Sequence, residues 1–295
     1  MTRGERINLR NGLLFASPYI FGFSVFMLYP LLASIYYSFT QFNVINPPVW
    51  IGTENYRSLF LEDERFWVSL YNTLYYTAFS VPLGLALAIG LAVLLNQKVR
   101  GMAAYRTIFF LPTIVPIVAS SVLWMWVLNP ESGLVNGLLL QFFGIEGPGW
   151  LADATWSKPS LVIMSLWSVG GAMVIFLAGL ADVPYELYEV AEIDGAGPLR
   201  KFWNVTMPML TPVILFNLVM GLINAFQFFT QVYIMTGGGP VDSTLLYALY
   251  LYQNAFAYLR MGYASAMAWM LFVVILGATL AVLASSKRWV HYHGE

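Results

Sequence analysis

The sequence predicts an all-α, polytopic membrane protein, and two features of the chain carry this prediction. Among the 295 residues, 59% are hydrophobic and 10% are charged, whereas a soluble domain has about 25% charged residues. Six stretches are also apolar over a length that can cross a hydrocarbon core, which takes roughly 20 helical residues. These stretches are residues 13–40, 69–95, 104–128, 160–181, 209–235 and 263–285.

The first stretch follows three arginines and in that respect resembles a secretory signal. It runs well beyond the core of a signal, which has about 7–15 apolar residues, and it lacks a small-x-small cleavage site. We therefore expect residues 13–40 to be retained as a transmembrane helix, preceded by a short cytoplasmic segment at 1–12.

The basic residues alternate between the two sides of the predicted helices. One side has ten and the other has four: Arg3, Arg6, Arg10, Lys98, Arg100, Arg106, Arg200, Lys201, Lys287 and Arg288 against Arg57, Arg65, Lys158 and Arg260. Because basic residues favour the cytoplasmic side, we expect both termini to be cytoplasmic. Segments 41–68, 129–159 and 236–262 then face outward, and residues 286–295 form a cytoplasmic tail.

The residue types that are missing exclude or disfavour several classes of function. Cysteine is absent, which excludes disulfides and thiolate chemistry, and the net charge of −1 gives no basic balance for binding nucleic acid. Apart from Arg106, the six stretches contain no Asp, Glu, Lys, Arg or His. This disfavours a proton-coupled carrier and an intramembrane enzyme, although backbone carbonyls can still bind sodium. We therefore predict no catalytic residue.

The chain also lacks a loop that could hold ATP. None of its four lysines follows a glycine, so no Gly-Lys phosphate loop can be drawn. His291 and His293 could bind a metal, but a solvated tail is the favoured interpretation, and no metal or cofactor is predicted on this chain. Any ATP hydrolysis belongs to a partner.

Residues 182–207, the longest predicted cytoplasmic connection, have an unusual pattern for a solvated loop. Pro184 stands where a helix can begin, and Glu186, Glu189 and Glu192 then fall on one helical face. Glycines at 195 and 197 end that helix. A second amphipathic stretch, at 199–205, brings the chain back toward the bilayer.

A spaced motif in this loop resembles the loop of ABC importer permeases. Those proteins carry Glu-Ala-Ala, three residues, Gly, nine residues and Ile-x-Leu-Pro. This chain matches at Glu189, Ala191, Gly195 and Pro208, with conservative departures at Val190, Val205 and Met207. The longer string YEVAEIDGAGPLRKFW is similar to carbohydrate permeases of the maltose and glycerol-3-phosphate type. The resemblance covers nearly the whole chain and is strongest from about 68 to 285.

The resemblance implies a type I ABC importer permease fold, with the transmembrane domain at 69–285. It implies that residues 182–207, the coupling loop, dock on an ATPase subunit dimer that holds ATP and magnesium. The residues expected to serve this coupling are Glu189, Ala191, Asp194, Gly195 and Pro208. A second homologous permease, an extracytoplasmic solute-binding protein and a sugar substrate are the other expected partners, in the cell membrane of a bacterium or archaeon.

Polar side chains on the fifth stretch mark a possible solute path. Asn217, Asn224 and Gln231 recur every seven residues, and Gln227 and Gly221 lie between them. Amides of this kind suit sugar hydroxyls, and the adjacent Phe228 and Phe229 offer flat faces for a sugar ring. Hydrogen bonding between helices explains such a stripe equally well, so both interpretations stand.

The fourth stretch offers a facing surface, with Ser168 and small residues at helical spacing. Family positions carried over from the resemblance fall on Met164, Ser168, Gly171, Gly221, Asn224 and Ala225. The complete predicted pathway is Met164, Ser168, Gly171, Gly221, Asn224, Gln227 and Phe228. Gly171 and Ala225 have no side chain able to repeat a polar contact, so whether this permease or its partner holds the main site stays open.

We thus expect a permease forming half of the path for a sugar or oligosaccharide. A glycerol-3-phosphate or related polyol importer is one alternative, and a secondary carrier is another.

Overall fold

A computed structural model describes residues 2–97 and 99–291; Lys98 and His293, named above, lie outside these residues. The described chain is helical apart from one pair of two-residue strands. It begins with α1 (Arg3–Phe23), a π-helical turn (Ser24–Leu28), α2 (Tyr29–Ser38), β1 (Thr40–Gln41), β2 (Val49–Trp50) and α3 (Glu54–Leu61).

The remaining helices follow without further strands in the described residues. They are α4 (Glu64–Leu95), α5 (Met102–Ile114), α6 (Ile117–Val127), α7 (Leu134–Phe143), α8 (Ser157–Leu166), α9 (Gly170–Ala181), α10 (Tyr185–Ile193), α11 (Pro198–Lys201), α12 (Met207–Phe226), α13 (Thr230–Met235), α14 (Tyr247–Tyr252) and α15 (Met261–Ser286). Two more π-helical turns occur, at Phe202–Thr206 and Gln253–Ala257. The chain divides into two compact units, Met1–Asp63 with Leu251–Met270 and Glu64–Tyr250 with Leu271–Glu295.

The first unit is held together around the end of α2. The side-chain amide of Asn55 donates to the carbonyl oxygens of Ser38 and Thr40, both at 2.9 Å. A Cβ added to Gly262 would lie 2.0 Å from the carbonyl oxygen of Thr40. Only glycine lets the start of α15 approach this backbone so closely.

The second unit has α4 at its centre, packed against α8, α9 and α12. Ala88 and Ala92 on α4 and Met173 and Phe176 on α9 are fully buried, as is Leu210 on α12. The two alanines let the helix backbones approach closely, which is how helices associate where hydrophobic burial gives no driving force. The long side chains from α9 and α12 then fill the space between the helices.

The predicted transmembrane helices are present, with two of them bent. Four helical runs are long and apolar enough to cross a membrane by themselves, and two bent pairs bring the possible number to six. The four are Asn8–Ser38, Glu64–Leu95, Pro198–Met235 and Met261–Ser286; the pairs are α5 with α6 and α8 with α9.

The third predicted transmembrane stretch, residues 104–128, has the sharpest bend and forms two helices. Helices α5 and α6 meet at an angle of 99°. Val115, which precedes Pro116, has the extended conformation φ −65°, ψ 127°, as the proline ring disfavours helical geometry in the residue before it. The Val115–Pro116 pair therefore accounts for the bend.

The fourth predicted helix bends by 44° between α8 and α9. At the start of α9, a Cβ on Gly170 would lie 2.5 Å from the carbonyl oxygen of Phe109, so this glycine permits close contact with α5. The fifth predicted helix is interrupted after Phe226, because Gln227 and Phe228 leave the helix before α13 begins. Gln231 consequently belongs to a different helix from Asn217 and Asn224.

Candidate functional site

A cavity of about 280 Å³ lies among α4, the α8–α9 bend and the end of α12. Its walls include hydroxyl, amide and aromatic side chains from all three regions. The polar and aromatic lining residues are Tyr76, Ser80, Ser165, Ser168, Asn217, Asn224 and Phe228. None of the fourteen residues that line it is Asp, Glu, Lys, Arg or His.

One wall of the cavity is a pair of stacked rings. The ring centroids of Tyr76 and Phe228 lie 4.4 Å apart with an interplanar angle of 20°. Tyr76 is 4% exposed, which fixes its orientation against the surrounding helices. An aromatic face fixed in this way provides apolar contact area at small cost in conformational entropy.

The two amides of the cavity have different roles. The Asn217 amide nitrogen donates to the carbonyl oxygen of Val213 at 2.9 Å, on its own helix. Asn224 is exposed and makes no hydrogen bond to another described residue. Since an amide offers two donors and an acceptor, Asn224 is the lining residue best able to bind a hydroxyl-bearing solute.

Four of the predicted pathway residues line the cavity: Ser168, Gly221, Asn224 and Phe228. Met164, Gly171 and Gln227 lie outside its lining. Met164 is 5% exposed and belongs to the packed interior, and Gln227 lies just beyond Phe226, the last residue of α12. Ala225 also lines the cavity.

Gly221 has a packing role as well as a position in the lining. A Cβ there would lie 3.3 Å from Cγ1 of Val81, so the absence of a side chain lets α12 approach α4. Along this stripe, Gly221 therefore allows close helix contact, Asn217 bonds within its own helix, and Asn224, one turn after Gly221, is an amide open to the cavity.

The sequence prediction missed the wall contributed by α4. Tyr76, Ser80 and Gly84 recur every four residues and so occupy one helical face. Ser165, on α8, was also missed. The spacing on α4 was available as a signal, but hydroxyls and glycines also occur at ordinary helix contacts in membranes, and nothing in the sequence says that this face meets Asn224.

The coupling loop folds into a helix, a sharp turn and a return. Helix α10 begins after Pro184, as the sequence predicted, and ends in a Schellman motif. The Ala196 N–H donates to the Ala191 carbonyl oxygen at 2.8 Å, and the Gly195 N–H donates to that of Glu192 at 2.9 Å. Gly195 has φ +73°, a conformation that a residue with a Cβ adopts only at a cost.

Two side-chain contacts connect α10 to the returning chain. The Lys201 ammonium lies 2.5 Å from the Glu192 carboxylate, and the hydroxyls of Tyr188 and Thr206 lie 3.0 Å apart. Thr206 is buried. The loop is therefore held by its own side chains as a compact element.

The coupling loop exposes large apolar side chains. Ile193 is 85% exposed, Leu199 73% and Tyr185 68%. A groove of about 510 Å³ runs between α10 and the return, and Ala191, Asp194 and Pro208 are among its lining residues. Glu189 is exposed on α10, and Gly195 forms the turn. Exposed apolar surface of this kind is typical of a protein–protein contact site.

Together these features define an integral membrane transport subunit, with a solute-sized cavity between helices and an exposed contact loop. The profile of the family described as "Binding-protein-dependent transport system inner membrane component" matches residues 80–291. The chain belongs to this family: it is a multi-pass inner membrane permease of a binding-protein-dependent ABC importer, a transport component rather than an enzyme. The predicted family and the all-helical fold are confirmed.

Several known proteins resemble it over almost their full length. The chain is 43% identical over 288 residues to the probable ABC transporter permease protein YesP of Bacillus subtilis (strain 168), covering 96% of this chain and 93% of the relative. It is 37% identical over 280 residues to the lactose transport system permease protein LacF of Rhizobium radiobacter, covering 92% of each.

A solved structure shows the same architecture. It is that of a bacterial alginate ABC transporter in complex with alginate pentasaccharide-bound periplasmic protein. The match has a TM-score of 0.84 at 25% identity and covers 97% of this chain and 98% of that chain.

Proposed function

We propose that this permease forms half of the path for a neutral sugar or oligosaccharide. The carrying observation is the cavity lining, which combines the open Asn224 amide and several hydroxyl groups with the Tyr76–Phe228 stack and has no charged side chain. Sugars present hydroxyls at their edges and C–H groups on their faces, so this pairing of groups suits them.

The absence of charge in the lining favours a neutral solute over glycerol-3-phosphate. A phosphate group moved from water into an uncharged cavity loses hydration that only cations or many N–H donors replace. The cavity volume of about 280 Å³ lies near the lower end of small-molecule sites, which is about 300 Å³. One sugar ring is therefore the expected occupant of this subunit's share of the path.

The second part of the proposal concerns the coupling loop. Its exposed apolar residues and its groove fit a contact with the ATPase subunits, where Glu189, Ala191, Asp194, Gly195 and Pro208 serve coupling. ATP and magnesium belong to that partner. A second permease completes the path, and an extracytoplasmic binding protein delivers the solute, as the alginate transporter binds a periplasmic protein. A ligand that favours one state of the assembly then shifts its population.

This arrangement requires the coupling loop in the cytoplasm and segment 236–262 outside. The chain has no cysteine, so a single introduced thiol reports its own side of the membrane. We expect Val241→Cys, at a site that is 93% exposed, to react with a membrane-impermeant maleimide in intact cells, and Ile193→Cys, at a site that is 85% exposed, to react only after permeabilisation of cells that lack the ATPase subunits. The reversed pattern would invert the orientation.

Transport assays test the solute. The chain, co-reconstituted with the second permease, the ATPase and the binding protein of its own transporter, is assayed for ATP-driven uptake of neutral sugars and of glycerol-3-phosphate. Asn224→Leu is expected to raise the half-saturating sugar concentration about tenfold, because a site built to bind a hydroxyl loses its partner group. The matched control is Asn8→Leu, at an exposed position on α1.

Three outcomes contradict parts of the proposal. Uptake of glycerol-3-phosphate alone rejects the neutral solute. Equal sugar uptake by Asn224→Leu and wild type removes the cavity from the path. Gradient-driven uptake by this chain without any ATPase makes it a secondary carrier.

A further inference from the structure

A partly buried polar network, whose Arg65 and Asp242 side chains remain 41% and 38% exposed, lies at the N-terminal end of α4, one to three turns before the cavity-lining residues of the same helix. It consists of Arg65, Asn72, Ser157, Lys158 and Asp242, together with backbone groups of the segment 236–246. None of these residues lines the cavity. The network nevertheless contacts both helices that begin the cavity walls, α4 and α8.

Asn72 is the centre of the polar network. It is 1% exposed, and its amide nitrogen donates to the carbonyl oxygens of Asp242 at 2.8 Å and Leu245 at 3.1 Å. Its amide oxygen accepts from the Lys158 ammonium at 3.1 Å. One side chain thus connects α4 to the 236–246 segment and to α8.

Other contacts repeat the same connections. Arg65 binds the Asp242 carboxylate through two nitrogens at 2.9 and 2.8 Å, a geometry that fixes direction as well as distance. The hydroxyls of Ser157 and Ser243 lie 2.8 Å apart and join α8 to the segment. The Tyr247 N–H donates to Thr73 Oγ1 at 2.8 Å.

The backbone of the held segment supports the same interpretation. Val241 and Asp242 have φ values of +48° and +56°, which is rare for a residue other than glycine and an outlier for a β-branched one. Such conformations persist only where the surrounding contacts over-determine them. The polar network supplies those contacts, because it holds Asp242 by both its carboxylate and its carbonyl oxygen.

The cavity depends on the spacing of the helices that the polar network connects. Tyr76 and Ser80 follow Asn72 by one and two turns on α4, and Ser165 and Ser168 follow Lys158 along and just beyond α8. The buried side chains of Asn72 and Ser157 are hydrogen-bonded to the neighbouring elements, and buried polar contacts of this kind favour one arrangement of the elements that they join. A shift of α8 against α4 at this end would alter the distance between the hydroxyls of the two walls.

We propose that Asn72 is a positioning residue for the substrate cavity: with Arg65, Ser157 and Lys158 it holds α4, α8 and the 236–246 segment together as one rigid body. The network sets the spacing of the cavity walls and does not open during transport. This inference rests on the proposed function, since it assigns a role in binding the transported solute.

The first test uses the absence of cysteine in the chain. Ser157→Cys with Ser243→Cys places two thiols where hydroxyls now lie 2.8 Å apart, so that side-chain rotation of less than about 1 Å at each sulfur brings them to the S–S distance of about 2.05 Å; loss of free thiols on oxidation verifies that the bond has formed. In the reconstituted transporter, the oxidised variant is expected to retain at least about half of the uptake of its reduced form, since a rigid body loses nothing by being cross-linked. Loss of uptake on oxidation, restored by reductant, overturns the rigid body.

The second test separates positioning from folding. Asn72→Leu is expected to raise the half-saturating solute concentration about tenfold, with the maximal rate of assembled transporter within about twofold of wild type, because buried polar groups lose their partners and the walls shift. Asn72→Gln, which keeps an amide group able both to donate and to accept, should be affected less. Arg57→Ala is the control, since the Arg57–Glu54 contact is exposed.

The outcomes distinguish this inference from the proposed function. If the solute is not a sugar, wild type shows no sugar uptake, while ATP hydrolysis stimulated by the solute-loaded native binding protein still reports the effect of cross-linking. An unchanged half-saturating concentration in Asn72→Leu, or an equal fall in maximal rate for both Asn72 variants, rejects positioning. If Asn72→Leu fails to assemble, the cysteine pair decides alone.

Discussion

The cavity and the coupling loop, both in the second unit, use apolar side chains in opposite ways. Behind the cavity walls the apolar residues Phe176 and Met173 are fully buried, and the lining itself combines apolar side chains with hydroxyl and amide groups. In the coupling loop the apolar residues Ile193 and Leu199 face outward. The cavity therefore fits a polar solute, whereas the loop fits another protein surface.

The two regions also differ in how they are held. Contacts that fix the coupling loop join residues 9 and 18 positions apart. Contacts that fix the end of the cavity walls near Asn72 join residues 86 to 177 positions apart. The loop is thus a local structure that sequence changes can damage locally, while the cavity depends on the packing of the whole unit.

The largest loss of uptake is expected from a substitution that disrupts only the coupling loop. Gly195→Val places a β-branched residue at φ +73°, which costs about 1–2 kcal/mol and dismantles the Schellman turn. We expect ATP-driven uptake to fall at least about tenfold while the protein remains in the membrane. The measurement is uptake per assembled transporter, together with the rate of ATP hydrolysis.

Gly197→Val is the matched control for Gly195→Val. Gly197 has φ −68°, and a Cβ there meets nothing within 4 Å, so valine is tolerated. Equal loss in both variants would show that the loop requires small residues for docking rather than a left-handed turn.

The next largest loss of uptake is expected when a substitution fills the cavity and leaves the coupling loop unchanged. Gly84 lines the cavity, and a Cβ there comes no closer than 3.9 Å to Val169, so Gly84→Leu fits on the helix and fills the open space. We expect uptake to fall about five- to tenfold, a loss of transition-state binding equivalent to roughly 1–1.4 kcal/mol. Radiolabelled solute uptake and pull-down of the ATPase subunits measure the two regions separately.

Gly90→Leu on the same helix is the control. A Cβ at Gly90 meets nothing within 4 Å, and the residue lies outside the cavity lining. If Gly84→Leu instead weakens ATPase binding, the cavity and the loop are not independent. The comparison between the two regions would then have to be abandoned.

The smallest loss of uptake is expected from removing the ion pair of the coupling loop. Glu192→Gln removes the partner of Lys201; because Glu192 is mostly exposed, the expected change in uptake is at most about twofold, as for other surface ion pairs. Exchange of the two residues, Glu192→Lys with Lys201→Glu, should restore it. A loss much greater than twofold that the exchange does not repair would place Glu192 in direct contact with the ATPase.

Element type and most of the loop could be predicted from the sequence because their causes are local. Helix α10 begins just after Pro184 and ends at Ile193, two residues before Gly195. The proline ring and the missing glycine Cβ each affect the backbone within only one or two residues. The bend at Val115 has an equally local cause in Pro116. The size of the bend, 99°, could not be predicted, since membrane helices often tolerate proline with a smaller kink.

The cavity could be predicted only in part, because its polar stripe was followed along one helix. Asn224 and Phe228 were found on α12, but Gln227 was assigned to the path by assuming that the helix continues past Phe226. Tyr76 and Ser80 were missed, since their partners come from helices far away in the sequence. Periodicity shows which residues share a face and does not show what that face meets.

The sequence by itself determined the membrane class, the six apolar stretches and the motif from Glu189 to Pro208, because composition, helix length and turn chemistry act over short distances along the chain. Only the tertiary structure decided that Tyr76 stacks on Phe228 and that Asn72 connects α4, α8 and the 236–246 segment. Those contacts depend on how closely helices pack, and that is set by small residues such as Gly221 and Ala88 acting together.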